Sequence, residues 1–311
     1  MSAPAPGRHP TGHGVAPEGA APDLSIVIAT RNRASQLAKT LESFREIRTA
    51  RQWELIVVDN ASRDDTPGVM ERDWIAAPFT RLRLDAAGLC RAQNTAIRHA
   101  RASIIAFTDD DCYPQHDFVD RLLDAFIDPR VAFVGGRVLL HDPTDLPITI
   151  QTRETSMELP PGTPIDAGFI HGANLAFRKD ALEQLGGFDE RLGPGASCGS
   201  CGDWDIMCRA LAAGYAGRYD PGPTVRHHHG RRTLAQVRAL ERRYAFGRGA
   251  IYMKAFLTGG AYAGNLRWLR RDVRETIRAP RRDLRNVRAR GRELMGAIRF
   301  LIAQSFERSS A

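Results

Sequence analysis

Three consecutive carboxylates, Asp109-Asp110-Asp111, end the apolar run Ile104-Ile105-Ala106-Phe107-Thr108. A short run with β-branched residues reads as a buried strand, so the triplet sits at a sheet edge. Carboxylates this close repel one another, and a divalent cation held by oxygen ligands removes that cost. Hard cations on carboxylates commonly bridge to phosphate oxygens, so the pattern points to a metal site that holds a phosphorylated substrate. A solvated acidic loop or a helix N-cap is the plain structural alternative.

Elements upstream must deliver this edge. Leu24 to Thr30 is a strand-like run, followed by the polar turn Arg31-Asn32-Arg33 and a helical spacing at Leu37, Leu41 and Phe44. Leu55 to Val58 is a second strand ending in Asp59-Asn60, and Arg81 to Leu84 is a weaker third followed by Asp85. Gly88 opens a helix from Cys90 to Ala100 before the strand that carries the triplet. Strands alternating with helices predict an α/β fold with a mostly parallel, Rossmann-like sheet covered on both faces. In such sheets ligands bind outside the carboxyl ends of the strands. Thr30, Arg31, Asp59, Asn60, Asp85 and the triplet all fall there, and a nucleotide at that edge accounts for them together.

Further along, Phe118 to Phe126 and Lys179 to Leu185 read as helices, and Val131 to Gly136 reads as a strand. Phe169 to Phe177 is strand-like around Gly172-Ala173-Asn174, and Asp203 to Ala213 is helical. His141 to Gly162, rich in Pro and Thr, reads as a mobile loop.

The chain has 311 residues, 43% hydrophobic and 26% charged, which suits a soluble globular protein with one large domain and an appendage. No apolar run is long enough to span a bilayer, and residues 1–22, rich in Ala, Pro and Gly, read as a disordered leader without a signal-peptide core. The net charge of +8 is concentrated from Ala261 onward, where 13 Arg face 5 acidic residues. An odd set of five cysteines fits reduced thiols and a cytoplasmic location.

In order, Ser25 to Arg33, Ile56 to Ser62 with Asp65-Thr66, Gly88 to Asn94, Phe107 to Asp111, Gly186 to Asp189, Gly202 to Asp205 and His227 to His229 resemble the family 2 glycosyltransferases of GT-A fold. The likeness covers residues 24–232. It implies an inverting transfer of a sugar from a UDP-, GDP- or dTDP-linked donor to an acceptor hydroxyl. Thr30, Arg31, Arg33, Asp59, Asn60, Asp85, Asn94, Asp109, Asp110, Gly172 and Asn174 are then expected on the nucleotide sugar. Mg²⁺ or Mn²⁺ is expected on Asp111, with Asp109 and His227 as further ligands. Asp203 is the expected general base, with Asp205 as the lesser candidate. The acidic residue that usually precedes this Asp is Gly202 here, which bears on its basicity and on the acceptor contacts.

On the acceptor or lid side the resemblance adds Trp204, Asp205, His229 and Arg231, though Trp204 suits core packing equally. If His227 to His229 is extended, His227 and His229 share a face and His228 points away. Cys198, Cys201 and Cys208 lack a fourth partner for structural zinc and read as free thiols.

The GT-A domain is expected over residues 23–235, with its nucleotide-binding half to about residue 112, and a basic helical extension over 236–311. Two readings of that extension stay open. One is a peripheral foot on an anionic membrane, at the inner face, acting on a lipid-linked acceptor; the other is a helical subdomain packed on the catalytic domain or a second subunit. A small-molecule acceptor is the alternative, and nucleic acid is not expected. Two rival functions are a sugar-phosphate nucleotidylyltransferase, which lacks its Gly-rich loop after the first strand, and a sugar-nucleotide-binding protein that has lost catalysis, which Gly202 alone favours.

Overall fold

A computed structural model describes residues 21–278 and 284–310; the expected leader lies outside them except for its last two residues. The first strands are β1 (Leu24–Thr30), β2 (Trp53–Asn60), β3 (Phe79–Leu84) and β4 (Ile104–Thr108), with helices α1 (Ala34–Ser43), α2 (Thr66–Met70) and α3 (Leu89–His99) between them. They form a parallel array in the order β3-β2-β1-β4. Side chains along each strand alternate between two cores. Val27, Ile56 and Val58 join one, while Ile26, Ile28, Leu55 and Val57 join the other with Leu37 and Leu41 of α1. All are essentially inaccessible to solvent, and full burial of each stabilises by about 1.5–3 kcal/mol. Burial on both faces is why these strands read as unbroken apolar runs.

The second half adds β5 (Cys112–Pro114), α4 (Phe118–Asp124), β6 (Val131–Leu140), β7 (Met157–Leu159), β8 (Leu175–Arg178), α5 (Lys179–Gln184), α6 (Gly202–Ala212) and β9 (Ala216–His227). Here the sheet turns mixed: β8 is antiparallel to both β4 and β6, whereas β9 runs parallel to β6. Two expectations are corrected. The stretch 169–177 is not one strand, because Gly172–Asn174 makes a 3₁₀ turn and the strand begins only at Leu175. The segment 141–162 is tied down rather than loose: Gln151 exchanges backbone hydrogen bonds with Val138, and β7 pairs with β9.

The extension consists of α7 (Leu234–Thr258), α8 (Leu266–Arg278) and α9 (Leu284–Ser310). Thr233 and Gln236 form a reciprocal capping box at the start of α7. α7 and α9 cross in backbone contact, since a Cβ on Gly249 would overlap the Glu293 carbonyl and one on Gly296 would overlap that of Phe246. Lys254 turns inward from α7, its Nζ lying 2.7 Å from Asp189 and 2.8 Å from Asp205. Asp205, fully buried, also pairs with Arg209 at 2.8 Å and accepts from the Tyr262 hydroxyl at 2.6 Å. A buried ionic network therefore ties α7 to α6 and to the loop after α5.

Candidate active site

The carboxyl ends of β1, β2 and β4, the turn before β8 and the start of α6 surround a cavity of about 490 Å³. Thr30, Arg31, Arg33, Asn60, the Asp triplet, Gly172, Asp203, His227 and Arg231 line it, as the sequence placed them. Four non-glycine residues with positive φ flank it: Asn32 (53°), Ala61 (60°), Thr149 (52°) and Cys201 (71°). Backbone held in that region costs about 1–3 kcal/mol per residue and gathers where geometry serves function.

The triplet is wired internally. The Thr30 hydroxyl donates to Asp110 at 2.6 Å, and the Arg33 guanidinium pairs with Asp110 (3.0 Å) and Asp111. Burial raises Asp109 to about 6, helped by the charge of Asp111, and raises Asp110 to about 7 against the pull of Arg33. Burial also acts on Asp111, but the hydrogen bond and charge of His227, with Arg33, outweigh it and hold that carboxyl below its usual range.

His227 shows what the cluster fits. Its Nδ1 lies 3.2 Å from the Thr149 carbonyl, which accepts, and 3.4 Å from the Thr149 hydroxyl, which can donate. Its Nε2 meets the Asp111 carboxylate at 3.3 Å, close enough for the two to share a proton or a cation. Ligand atoms of Asp109, Asp111, Cys112 and His227 lie within 4.8 Å of one another. Two carboxylates and an imidazole held by a backbone carbonyl suit a hard divalent ion. Cys112 suits it poorly, because burial pushes its thiol well above the ordinary range.

Asp203 stands in the first turn of α6, where the helix dipole favours the anion. Its Oδ2 accepts from Gly172 N at 3.0 Å and its Oδ1 from Trp204 N at 2.9 Å, which fixes the carboxylate toward the cavity. Gly202 gains a physical reason: Cys90 Sγ occupies the space where its Cβ would stand. Asp59 is buried next to Asn60 of the cavity wall, with Oδ1 accepting from Ser62 N at 2.9 Å and Oδ2 lying 3.6 Å from the Arg83 guanidinium.

Other expected residues do not reach the cavity. Asp85 is exposed beyond β3. Asn94 clamps the loop after α5 through the backbone of Phe188 (2.8 and 2.9 Å), and Asn174 binds the carbonyls of Arg137 and Pro223. Trp204 is core, its indole N–H donating to Ile165 O at 2.9 Å. Asp205 points into the Lys254 network. His229 shares a face with His227, ring centroids 5.2 Å apart, yet holds Leu146 O and Arg231 N instead of facing the cavity. Conversely, Cys90, Gln93, Thr149 and His171 line the cavity without having been foreseen, as do Leu240, Arg243 and Tyr244 of α7. The apolar–basic spacing of α7 was legible, but its landing place was not.

Residues 25–186 match the family model for glycosyl transferase family 2, and the chain belongs to that family. It is 30% identical over 219 residues to the pre-mycofactocin glycosyltransferase of Mycobacterium tuberculosis, covering 67% of this chain and 43% of that one. It is 26% identical to glycosyltransferase AglE of Haloferax volcanii (63% of each chain) and 26% identical to the O-antigen chain rhamnosyltransferase WbaN of Salmonella anatum (67% of each). The chain thus spans under half the length of the first of these relatives. The fold is that of the mannosyltransferase PcManGT of Pyrobaculum calidifontis, solved with GDP-Man and Mn²⁺ (TM-score 0.55, 21% identity, 94% of this chain and 77% of that one). It is also that of S. aureus TarS 1–349 with UDP-GlcNAc (TM-score 0.55, 14% identity, 88% and 81%). The architecture is GT-A.

Proposed function

We propose that this cavity transfers a glycosyl group from a nucleoside-diphosphate sugar to an acceptor hydroxyl, with inversion, and that Asp203 is the general base. The observation that carries the reading is that one cavity is lined both by the Asp109/Asp111/His227 cluster and by the Asp203 carboxylate. An inverting transfer uses both groups, because the base takes the acceptor's proton on the side away from the leaving diphosphate. Mg²⁺ or Mn²⁺ on Asp109, Asp111 and His227 would supply Lewis-acid neutralisation of the diphosphate. The Asp59 carboxylate suits a base or ribose donor, Thr30 and Arg33 order the triplet, and Arg31 and Arg231 suit phosphate. The two backbone N–H groups on Asp203 hold its carboxylate in place. Asp203→Asn should lower turnover by about 10²–10⁴-fold with donor KM little changed; turnover within a few-fold of the parent protein removes Asp203 as base.

A membrane-facing role for the tail finds support in α9. Leu294 (63% exposed) and Ile298 (48% exposed) face outward with Val287 and Leu301 at helical spacing. Arg288, Arg292 and Arg299 fall on a neighbouring flank of the helix, roughly 100° round from that stripe. Among the described residues no helix is long and apolar enough to cross a membrane.

A further inference from the structure

Leu240, Arg243 and Tyr244 stand at i, i+3 and i+4 on α7 and form one helix face, and all three line the cavity. The next position of that row, Gly247, has no side chain to hold α7 away: a Cβ there would overlap the Ser200 hydroxyl and come within 3.0 Å of Cys201 Sγ. Ser200 Oγ donates to the Arg243 carbonyl at 3.0 Å, which pins α7 to the loop that leads into Gly202 and Asp203. The extension is therefore a wall of the cavity on the side of the proposed base. The cations of the triplet are accounted for, since Arg33 and His227 are paired with it. Among the described residues, the exposed Arg243 guanidinium has no ion pair or hydrogen bond to the protein, as is also true of Arg31 and Arg231, although four carboxylates share the cavity.

Resting on the glycosyl-transfer reading, we infer that Arg243, with Leu240 and Tyr244 beside it, binds a phosphate group carried by the acceptor. In that reading the triplet and Arg31 serve the donor's diphosphate, which leaves Arg243 to the acceptor. A planar guanidinium that the protein itself leaves unpaired suits a phosphate oxygen pair. The Leu240 and Tyr244 side chains add apolar surface next to that charge, which suits the carbon chain or ring bearing the phosphate. Arg243 is a specificity residue in this account and takes no part in bond making.

The test is calorimetric binding to the full chain with Mn²⁺ and a saturating nucleoside diphosphate (UDP or GDP, whichever binds), so that the donor side is filled. The probes are glycerol 3-phosphate against glycerol, and hexyl phosphate against hexanol. The phosphorylated member of at least one pair should bind tenfold or more tightly than its neutral partner. Arg243→Glu should abolish that preference and Arg243→Lys should keep most of it, while both leave nucleotide affinity within about twofold. Preference for hexyl phosphate identifies a lipid phosphate, and preference for glycerol 3-phosphate a water-soluble one. Equal binding of phosphorylated and neutral probes, or a preference that survives Arg243→Glu, overturns the inference. Failure of both nucleotides to bind counts against the donor site alone; the same probe comparison on the nucleotide-free protein then decides the role of Arg243.

Discussion

Lys254→Met is a sharp test of how the extension is held. The Nζ sits between Asp189 and Asp205, at 2.7 and 2.8 Å, with its side chain 13% exposed and that of Asp205 wholly buried. Methionine keeps most of the volume and removes the charge, so the two carboxylates lose a shared cation inside the protein. Breaking a buried ion pair from one side costs about 3–5 kcal/mol. The expected loss is at the lower end, about 3 kcal/mol, because Arg191 still pairs with Asp189 and Arg209 with Asp205. The sign of the pH dependence follows from the same contacts. Burial alone would raise both carboxyls, but Arg191 and Lys254 outweigh it at Asp189, and Lys254 and Arg209 do so at Asp205, so both stand below their ordinary values. Their stabilisation is therefore fully present above the unfolded value, about 4, and is lost as pH falls through the depressed folded values. Urea unfolding at pH 7 should show the full difference between parent and variant, and the difference should shrink below about pH 4. Removing the carboxylates as well, with Asp189→Asn and Asp205→Asn in the Lys254→Met background, should recover part of the loss. A change under 1 kcal/mol at pH 7, or a loss of constant size from pH 7 down to pH 3, would refute the reasoning.

Three further outcomes follow from the packing and charge. Gly202→Ala sets a methyl against Cys90 Sγ at the start of α6; it should cost about 1–3 kcal/mol in thermal or urea unfolding, and Cys90→Ala in the same chain should restore most of it. Gly249→Ala meets the Glu293 backbone instead of a flexible side chain, so urea unfolding should show a loss at or above about 3 kcal/mol, with no rescue by trimming the Glu293 side chain. Leu294→Glu with Ile298→Glu should halve or abolish co-sedimentation with vesicles rich in phosphatidylglycerol while leaving the melting temperature within a few degrees; unchanged sedimentation removes α9 as a lipid face.

The legible parts of this protein are those in which local sequence and global role coincide. Runs such as Leu24–Thr30 and Ile104–Thr108 are buried on both faces, so composition alone marks them as strands, and their polar ends necessarily meet at one sheet edge. Thr30, Asn60 and the triplet were therefore found together. Asp85 follows β3, the edge strand, and is exposed outside the cavity lining. Trp204 and Asp205 follow Asp203 in sequence, but successive residues on a helix point about 100° apart, which sends both into the interior. The role of Thr149 depends on a carbonyl in a segment that looks loose from composition, and that of Arg243 on where a distant helix lands. Neither leaves a local signature. Gly202 looked like a departure from the family pattern, and only its neighbour Cys90 explains it.

The most direct test of the central claim is a thermal-shift comparison of UDP-, GDP- and dTDP-sugars with and without Mn²⁺, on the parent protein and on Asp111→Asn. A nucleotide sugar at a hundred times its Kd stabilises the native state by about 2.7 kcal/mol, a shift of several degrees. The account predicts such a shift for one nucleotide class, present with Mn²⁺, absent without it, and lost in Asp111→Asn. A shift of equal size without metal or in Asp111→Asn would contradict the metal-held donor site, and no shift with any of the three would contradict the donor site itself.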